Sequence, residues 1–292
     1  MHDVETTEPD HQGEPTPALP EPRPLLSAPG GEGRLALRDG EYVAKVMPLL
    51  RLVVKLWYRS RVRGMENVPE GGVLLVSNHS GGLIAMDVPI IAVAFAEEFG
   101  NDRPLYVLAH DLLFMGSAHD PMSKAGFLPA TRENAAAALR SGGVTIVFPG
   151  GDHDVFRPSW ERNRIDFDGR TGYVRTALEA GVPIVPVVSI GGQEDQIHLS
   201  RGELLARLLG LEKRLRTKYL PITFGFPFGL TLAFPVNLPL PTRIDTRVLD
   251  AVHVTEEFGP DPDIAEVDRV IRGRMQDTLD ELARRRRFPV IG

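Results

Sequence analysis

The run Asn78-His79-Ser80-Gly81-Gly82 leaves an apolar stretch, Val73–Ser77, and enters a loop of small residues. A histidine placed there faces a cleft. Neutral imidazole takes a proton from a hydroxyl when a carboxylate fixes its tautomer. Asp87 is the nearest acid downstream. On a continuous helix the two would stand about 12 Å apart, at about 1.5 Å per residue, so the pair needs Gly81-Gly82 to turn the chain back. A purely structural histidine is the other reading of His79. A second run, Phe148-Pro149-Gly150-Gly151-Asp152-His153-Asp154, is followed by Arg157. Glycines at a strand end let backbone N–H groups approach a phosphate or a developing oxyanion, and Arg157 would add a charged clamp. Three His-Asp dipeptides (His110-Asp111, His119-Asp120, His153-Asp154) carry metal-ligand types. They lie in a strand-rich context, and no metal is expected.

Strands and helices must present these loops. Val73–Ser77, 104–110, 143–151 and 183–192 read as buried strands; 83–99, 132–140 and 171–182 read as helices, the last stopped by Gly181. Apolar strands alternating with helices predict an α/β fold: a mixed, largely parallel sheet flanked by helices. In such sheets sites gather where strands run out into loops, and both glycine-rich loops sit there. Residues 41–64 form a helical pattern with Lys45, Arg51, Lys55 and Arg59 on one side and Trp57 and Tyr58 at one end. Such a helix can lie in a membrane interface or pack on its own domain; Pro48 and the recurring charges exclude a membrane span. From Tyr219 to Thr242 there is no charge, but five prolines forbid a regular helix. This stretch reads as strands and loops, either an apolar surface for acyl chains or bilayer, or an ordinary buried strand pair. The chain ends in an amphipathic helix closing on Arg284–Arg287, which suits a helix C-terminus or anionic lipid heads.

Composition bounds the rest. The 292 residues contain no cysteine, which excludes disulfides, zinc-thiolate sites and a cysteine nucleophile. The net charge of −6 argues against a nucleic-acid partner, and the acidic first residues do not read as a secretory signal. Residues 1–40 hold eight acidic and three basic groups, five of the six net negative charges, with seven prolines. They read as a disordered tail. The expected organisation is tail 1–40, amphipathic membrane-associating helix 41–61, and α/β domain 62–292.

The blocks RVRGMENVPEGGVLLVSNHSGG, FLPATREN, VTIVFPGG and GVPIVPV, in this order across about residues 62–200, resemble the PlsC-like glycerolipid and lysophospholipid acyltransferase superfamily. The stretch from FPGGDHDVF to VVSIGG is most similar to its diacylglycerol-acyltransferase-2-type branch. The spacing here is H-x7-D where that superfamily has H-x4-D, Gly150 stands in place of a glutamate, and His153 in place of an arginine. The resemblance implies His79 and Asp87 as the catalytic pair. It implies Asn78, Ser80, Gly81, Gly82, Arg132, Phe148, Pro149, Gly150, Gly151 and Arg157 as substrate-binding residues. It further implies transfer of a fatty acyl group from acyl-CoA or acyl-ACP to a hydroxyl of a glycerolipid or other lipid alcohol, with no cofactor. The enzyme would work as a peripheral protein on the cytoplasmic face of a membrane, held through residues 41–60 and through 219–242. A lipid-binding protein without activity and a Ser80-dependent ester or thioester hydrolase are the alternatives.

Overall fold

The computed structural model describes residues 31–81, 85–114, 116–215 and 217–288. Ten strands are present among them: β1 (Arg61–Arg63), β2 (Val73–Ser77), β3 (Leu105–Ala109), β4 (Phe127–Pro129), β5 (Val144–Val147), β6 (Ile184–Ile190), β7 (Ile197–Ser200), β8 (Ile222–Gly225), β9 (Gly229–Leu232) and β10 (Asp245–Val248). Seven form the central sheet in the order β1-β10-β6-β2-β5-β3-β4. The pairs from β6 to β4 are parallel; β10 joins β6 antiparallel, and β1 lies parallel to β10. The fold is thus mixed α/β with a largely parallel sheet flanked by helices.

The sequence dictates the two-sided core. Every residue of β2 is buried. Leu74 and Val76 pack with the helices Gly172–Ala180 and Ile264–Arg285, while Val73 and Leu75 pack with Asp87–Phe99 on the other face. A strand covered on both faces must be apolar on both, which is why the strand sequences read as runs rather than alternations. Gly181 ends its helix in the left-handed conformation (φ 65°).

The N-terminal segments depart from expectation. Of the tail expected over 1–40, residues 1–30 lie outside the described residues. From Gly31 the chain is packed: the Gly31 N–H donates to Asn134 Oδ1, Glu32–Leu35 forms a helical turn, and Asp39 caps the helix Gly40–Leu52 by accepting from the Tyr42 N–H. A π turn, Val53–Trp57, follows, and β1 already belongs to the central sheet. The helix therefore stops short of residue 61. One stripe (Met47, Val54, Tyr58) packs against Met86, Ile90 and Val93. Arg51 and Lys55 pair with Glu97, and Leu49, Leu52 and Leu56 are left exposed.

β7, β8 and β9 form a separate antiparallel sheet, with β8–β9 drawn from the uncharged stretch. Its sides are reversed relative to a sheet in water. His198, Thr223 and Thr231 face inward and are buried, while Ile197, Leu199, Phe224, Leu230 and Leu232 are exposed. No helix among the described residues is long and apolar enough to cross a membrane.

Candidate active site

β2 delivers Asn78, His79 and Ser80 to the C-terminal end of the sheet. Asn78 is fixed first: its amide donates to the Ser189 carbonyl and accepts from the Ser189 N–H, both at 2.9 Å, which ties the end of β2 to β6. The His79 N–H donates to Asp154 Oδ2 at 2.7 Å. The imidazole stacks on Phe148, with ring centroids 3.9 Å apart and planes 7° apart. Backbone and ring plane are both set before any substrate arrives.

Asp87 does come back to the histidine. Its carboxylate opens the helix Asp87–Phe99, is fully buried, and places Oδ2 3.5 Å from His79 Nδ1. The reversal is held by Ser80, whose N–H donates to Asp87 Oδ2 at 2.8 Å and whose hydroxyl donates to Oδ1 at 2.6 Å. Gly81 has φ 113°, and a Cβ there would stand 2.1 Å from the Gln193 side chain, so only glycine fits. The seven intervening residues are therefore compatible with a His–Asp pair. Gly82 lies outside the described residues.

Nδ1 faces the acid at 3.5 Å without a hydrogen bond. The ring lines a narrow cleft together with Ser80, Arg162, Arg164, Gln193 and Glu194. A roomier apolar chamber of about 430 Å³ is lined by Met47, Leu50, Val88, Pro89, Phe95 and Phe127; neither His79 nor Asp87 lines it. Its size lies within the range of ligand sites.

The expected substrate residues separate into groups. Phe148 is the stacking partner of His79. Gly150 approaches Asp154 so closely that a Cβ would stand 2.6 Å from its side chain; Gly151 has φ 48°; and Arg170 donates to the carbonyls of Pro149 and Gly150. Ser80 is buried, and its hydroxyl, besides serving Asp87, accepts from the Gly192 N–H. Arg132 is exposed at the start of the helix Arg132–Arg140, beyond β4, three strand positions from β2. That is about 14 Å at the usual strand spacing. Arg157, expected as an anion clamp, is instead enclosed (1% exposed) and donates to Asp154 Oδ1 at 2.6 Å. It acts through Asp154 on the backbone of His79 rather than toward the cleft.

Asp154 is the residue that sequence reasoning missed. Burial, opposed by Arg157 and His79, pushes its carboxyl up from the usual range. The i,i+3 spacing to Arg157 was the available signal. A second hidden acid, Asp195, is held well above the carboxylate range by burial and then by the Asp87 charge. Of the His-Asp dipeptides, His153 turns to the Tyr219 hydroxyl (3.1 Å) and Asp166. Among the described residues no three His, Asp or Glu side chains converge as metal ligands would.

A histidine thus lies next to a buried aspartate at the strand ends of the parallel part of the sheet. Residues 59–190 match the Acyltransferase family. An uncharacterized protein of Mycobacterium tuberculosis is 36% identical over 241 residues, 82% of this chain and 64% of that protein. The chain thus spans less than two thirds of the length of this relative. A Mus musculus protein described as a DGAT1/2-independent enzyme synthesizing storage lipids is 26% identical over 195 residues, 66% of this chain and 57% of its own. The crystal structure of the 1-acyl-sn-glycerophosphate (LPA) acyltransferase PlsC from Thermotoga maritima superimposes with a TM-score of 0.51 at 18% identity, covering 82% of this chain and 79% of that one. It shares the fold.

Proposed function

We propose that the protein transfers a fatty acyl group from a thioester, acyl-CoA or acyl-ACP, to the hydroxyl of a glycerolipid or other lipid alcohol, with His79 as general base. The carrying observation is the His79–Asp87 pair, with Nδ1 turned to the carboxylate and the ring clamped on Phe148. Nε2 takes the proton of the acceptor hydroxyl as its oxygen bonds to the thioester carbonyl carbon. The tetrahedral adduct collapses, the C–S bond breaks, and the imidazolium returns its proton to the departing thiolate. Asp87 orients the ring and stabilises the imidazolium while it exists. The apolar chamber against the helix Asp87–Phe99 has the size and lining for an acyl chain, and Arg162 and Arg164 at the cleft suit the anionic part of a substrate. The solved structure with the same fold is an acyltransferase of 1-acyl-sn-glycerophosphate, a lipid alcohol, and the mouse relative is described as synthesizing storage lipids. The enclosure of Arg157 favours a neutral glyceride over a phosphate-bearing one.

Labelled acyl-CoA incubated with protein and diacylglycerol is expected to yield labelled ester and one thiol per ester, with little free fatty acid. Free fatty acid formed at the same rate with and without acceptor would instead support the Ser80 hydrolase. The geometry does not favour that reaction, since the Ser80 hydroxyl proton goes to Asp87 rather than to His79.

A further inference from the structure

The reversed sheet is the most unusual surface of the molecule. A sheet laid on a protein body in water turns apolar residues inward and polar ones outward; here Thr223, Thr231 and His198 are inside, and five large aliphatic or aromatic side chains are outside. The turns continue the pattern with Phe226, Phe228 and Phe234, the last 78% exposed. Monomeric proteins rarely leave so continuous an apolar surface uncovered.

Three observations say what covers it. The first is position. The sheet leaves the end of β6 through Gly191–Gln196, and this segment touches the site: the Gln193 N–H donates to the Ser80 carbonyl and the Gly192 N–H to its hydroxyl. The surface therefore lies at the same end of the central sheet as His79. The second is its rim. The protein has two tryptophans. Trp57 donates from Nε1 to the Pro239 carbonyl, and Trp160 is exposed in the turn whose Ser159 hydroxyl accepts from the His198 N–H of β7. Half-exposed indoles beside an apolar surface match the water–lipid boundary. The Trp57 contact also joins the sheet to the exposed leucines of the N-terminal helix.

The third is charge. Between residues 213 and 243 the sequence has five basic residues and no acid. Within four residues of Pro239 and Trp57 both chains enter an arginine cleft of about 170 Å³ that Arg61, Arg63, Arg243, Arg247, Arg285 and Arg286 line. Arg243 and Arg286 meet Asp245 and Glu194, and Arg285 meets Glu281. Among the described residues no acid forms an ion pair with Arg61, Arg63 or Arg247; the register sets Arg63 directly beside Arg247, and Arg61 beside Asp245, which also lines the cleft. Like charges paired across strands destabilise a sheet unless an anion lies between them. Arg286, its side chain nine-tenths buried, keeps Nη1 without a hydrogen bond in this cleft, 3.8 Å from Asp245 Oδ2.

We propose that β7–β9 and their turns dock into the interface of an anionic phospholipid bilayer, and that the arginine cleft holds the phosphates of its headgroups. This goes beyond the acyl-transfer reading and needs no substrate to test. Purified protein is sedimented with vesicles of phosphatidylcholine alone and with vesicles containing phosphatidylglycerol. The expected result is partition at least ten-fold stronger onto the anionic vesicles. Phe228→Ser/Leu230→Ser should lower partition at least ten-fold onto both, and Arg61→Gln/Arg63→Gln/Arg247→Gln should remove only the anionic preference. Tryptophan fluorescence of the unaltered protein should be quenched by brominated phosphatidylcholine in the anionic vesicles, which decides the matter should a variant fail to fold. Wild-type protein left in the supernatant of both vesicles, absence of quenching, or unchanged partition of the Phe228/Leu230 variant would overturn the proposal. So would a dimer that this variant converts to monomer without loss of vesicle binding.

Discussion

A single imidazole is held here by three different forces: a backbone hydrogen bond to Asp154, a stacking contact with Phe148, and the charge of Asp87. Asp154 is the least obvious of the three. Its other oxygen receives the buried guanidinium of Arg157, so removing its charge strands a cation in the core. Breaking one partner of a buried pair costs about 3–5 kcal/mol. Asp154→Asn is therefore expected to lower stability by that order in urea denaturation, and Arg157→Met on top of it should restore part of the loss, because the stranded charge is gone. Further destabilisation by the second substitution would contradict the role assigned to the pair. At the cleft mouth, Arg162→Gln/Arg164→Gln should raise KM for acyl-CoA with little change in kcat. An unchanged KM would remove these arginines from substrate binding.

At the scale of elements, the β7–β9 sheet carries a pH signature. His198 is fully enclosed with neither ring nitrogen bonded, and burial lowers its pKa from 6.5 to about 4. The unfolded chain protonates this ring first, so it holds more protons between those values and stability falls as pH drops through that window. The contribution is about 3 kcal/mol between neutral pH and pH 3. Asp154 and Asp195, raised by burial, act in the opposite sense, so the comparison must be made against a variant. His198→Leu should lose less stability than wild type on acidification, by about that amount in urea melts; parallel curves would contradict it. β2, β3, β5 and β6 were legible in the sequence because strands covered on both faces are short apolar runs between glycines and prolines. β4 (FLP) and β10 (DTRV) were not, being too short or too polar to stand out, and they find their places only by pairing. The sequence showed that 219–242 would be strands; which face they turned outward depends on what they lie against. The return of Asp87 to His79 was stated as a requirement on Gly81-Gly82 and is seen to be met through Ser80. The burial of Arg157 could not be read, because a guanidinium in a glycine-rich turn looks the same whether its acid is a substrate or Asp154.

At the scale of the whole molecule, one end of the central sheet gathers the His79 cleft, the reversed sheet and the arginine cleft. A soluble thioester would arrive from water and a lipid hydroxyl from the bilayer, meeting at His79. The central claim is that this imidazole removes the proton of the acceptor. The chain has no cysteine, so thiol release can be followed with a thiol reagent against no protein background. The decisive measurement is the acceptor-dependent rate of thiol release from acyl-CoA by wild type and by His79→Ala, with matched thermal melts to show both are folded. The account predicts a loss of about 10²–10⁴-fold in the variant, the range of a general base. Equal rates in the two folded proteins would contradict it.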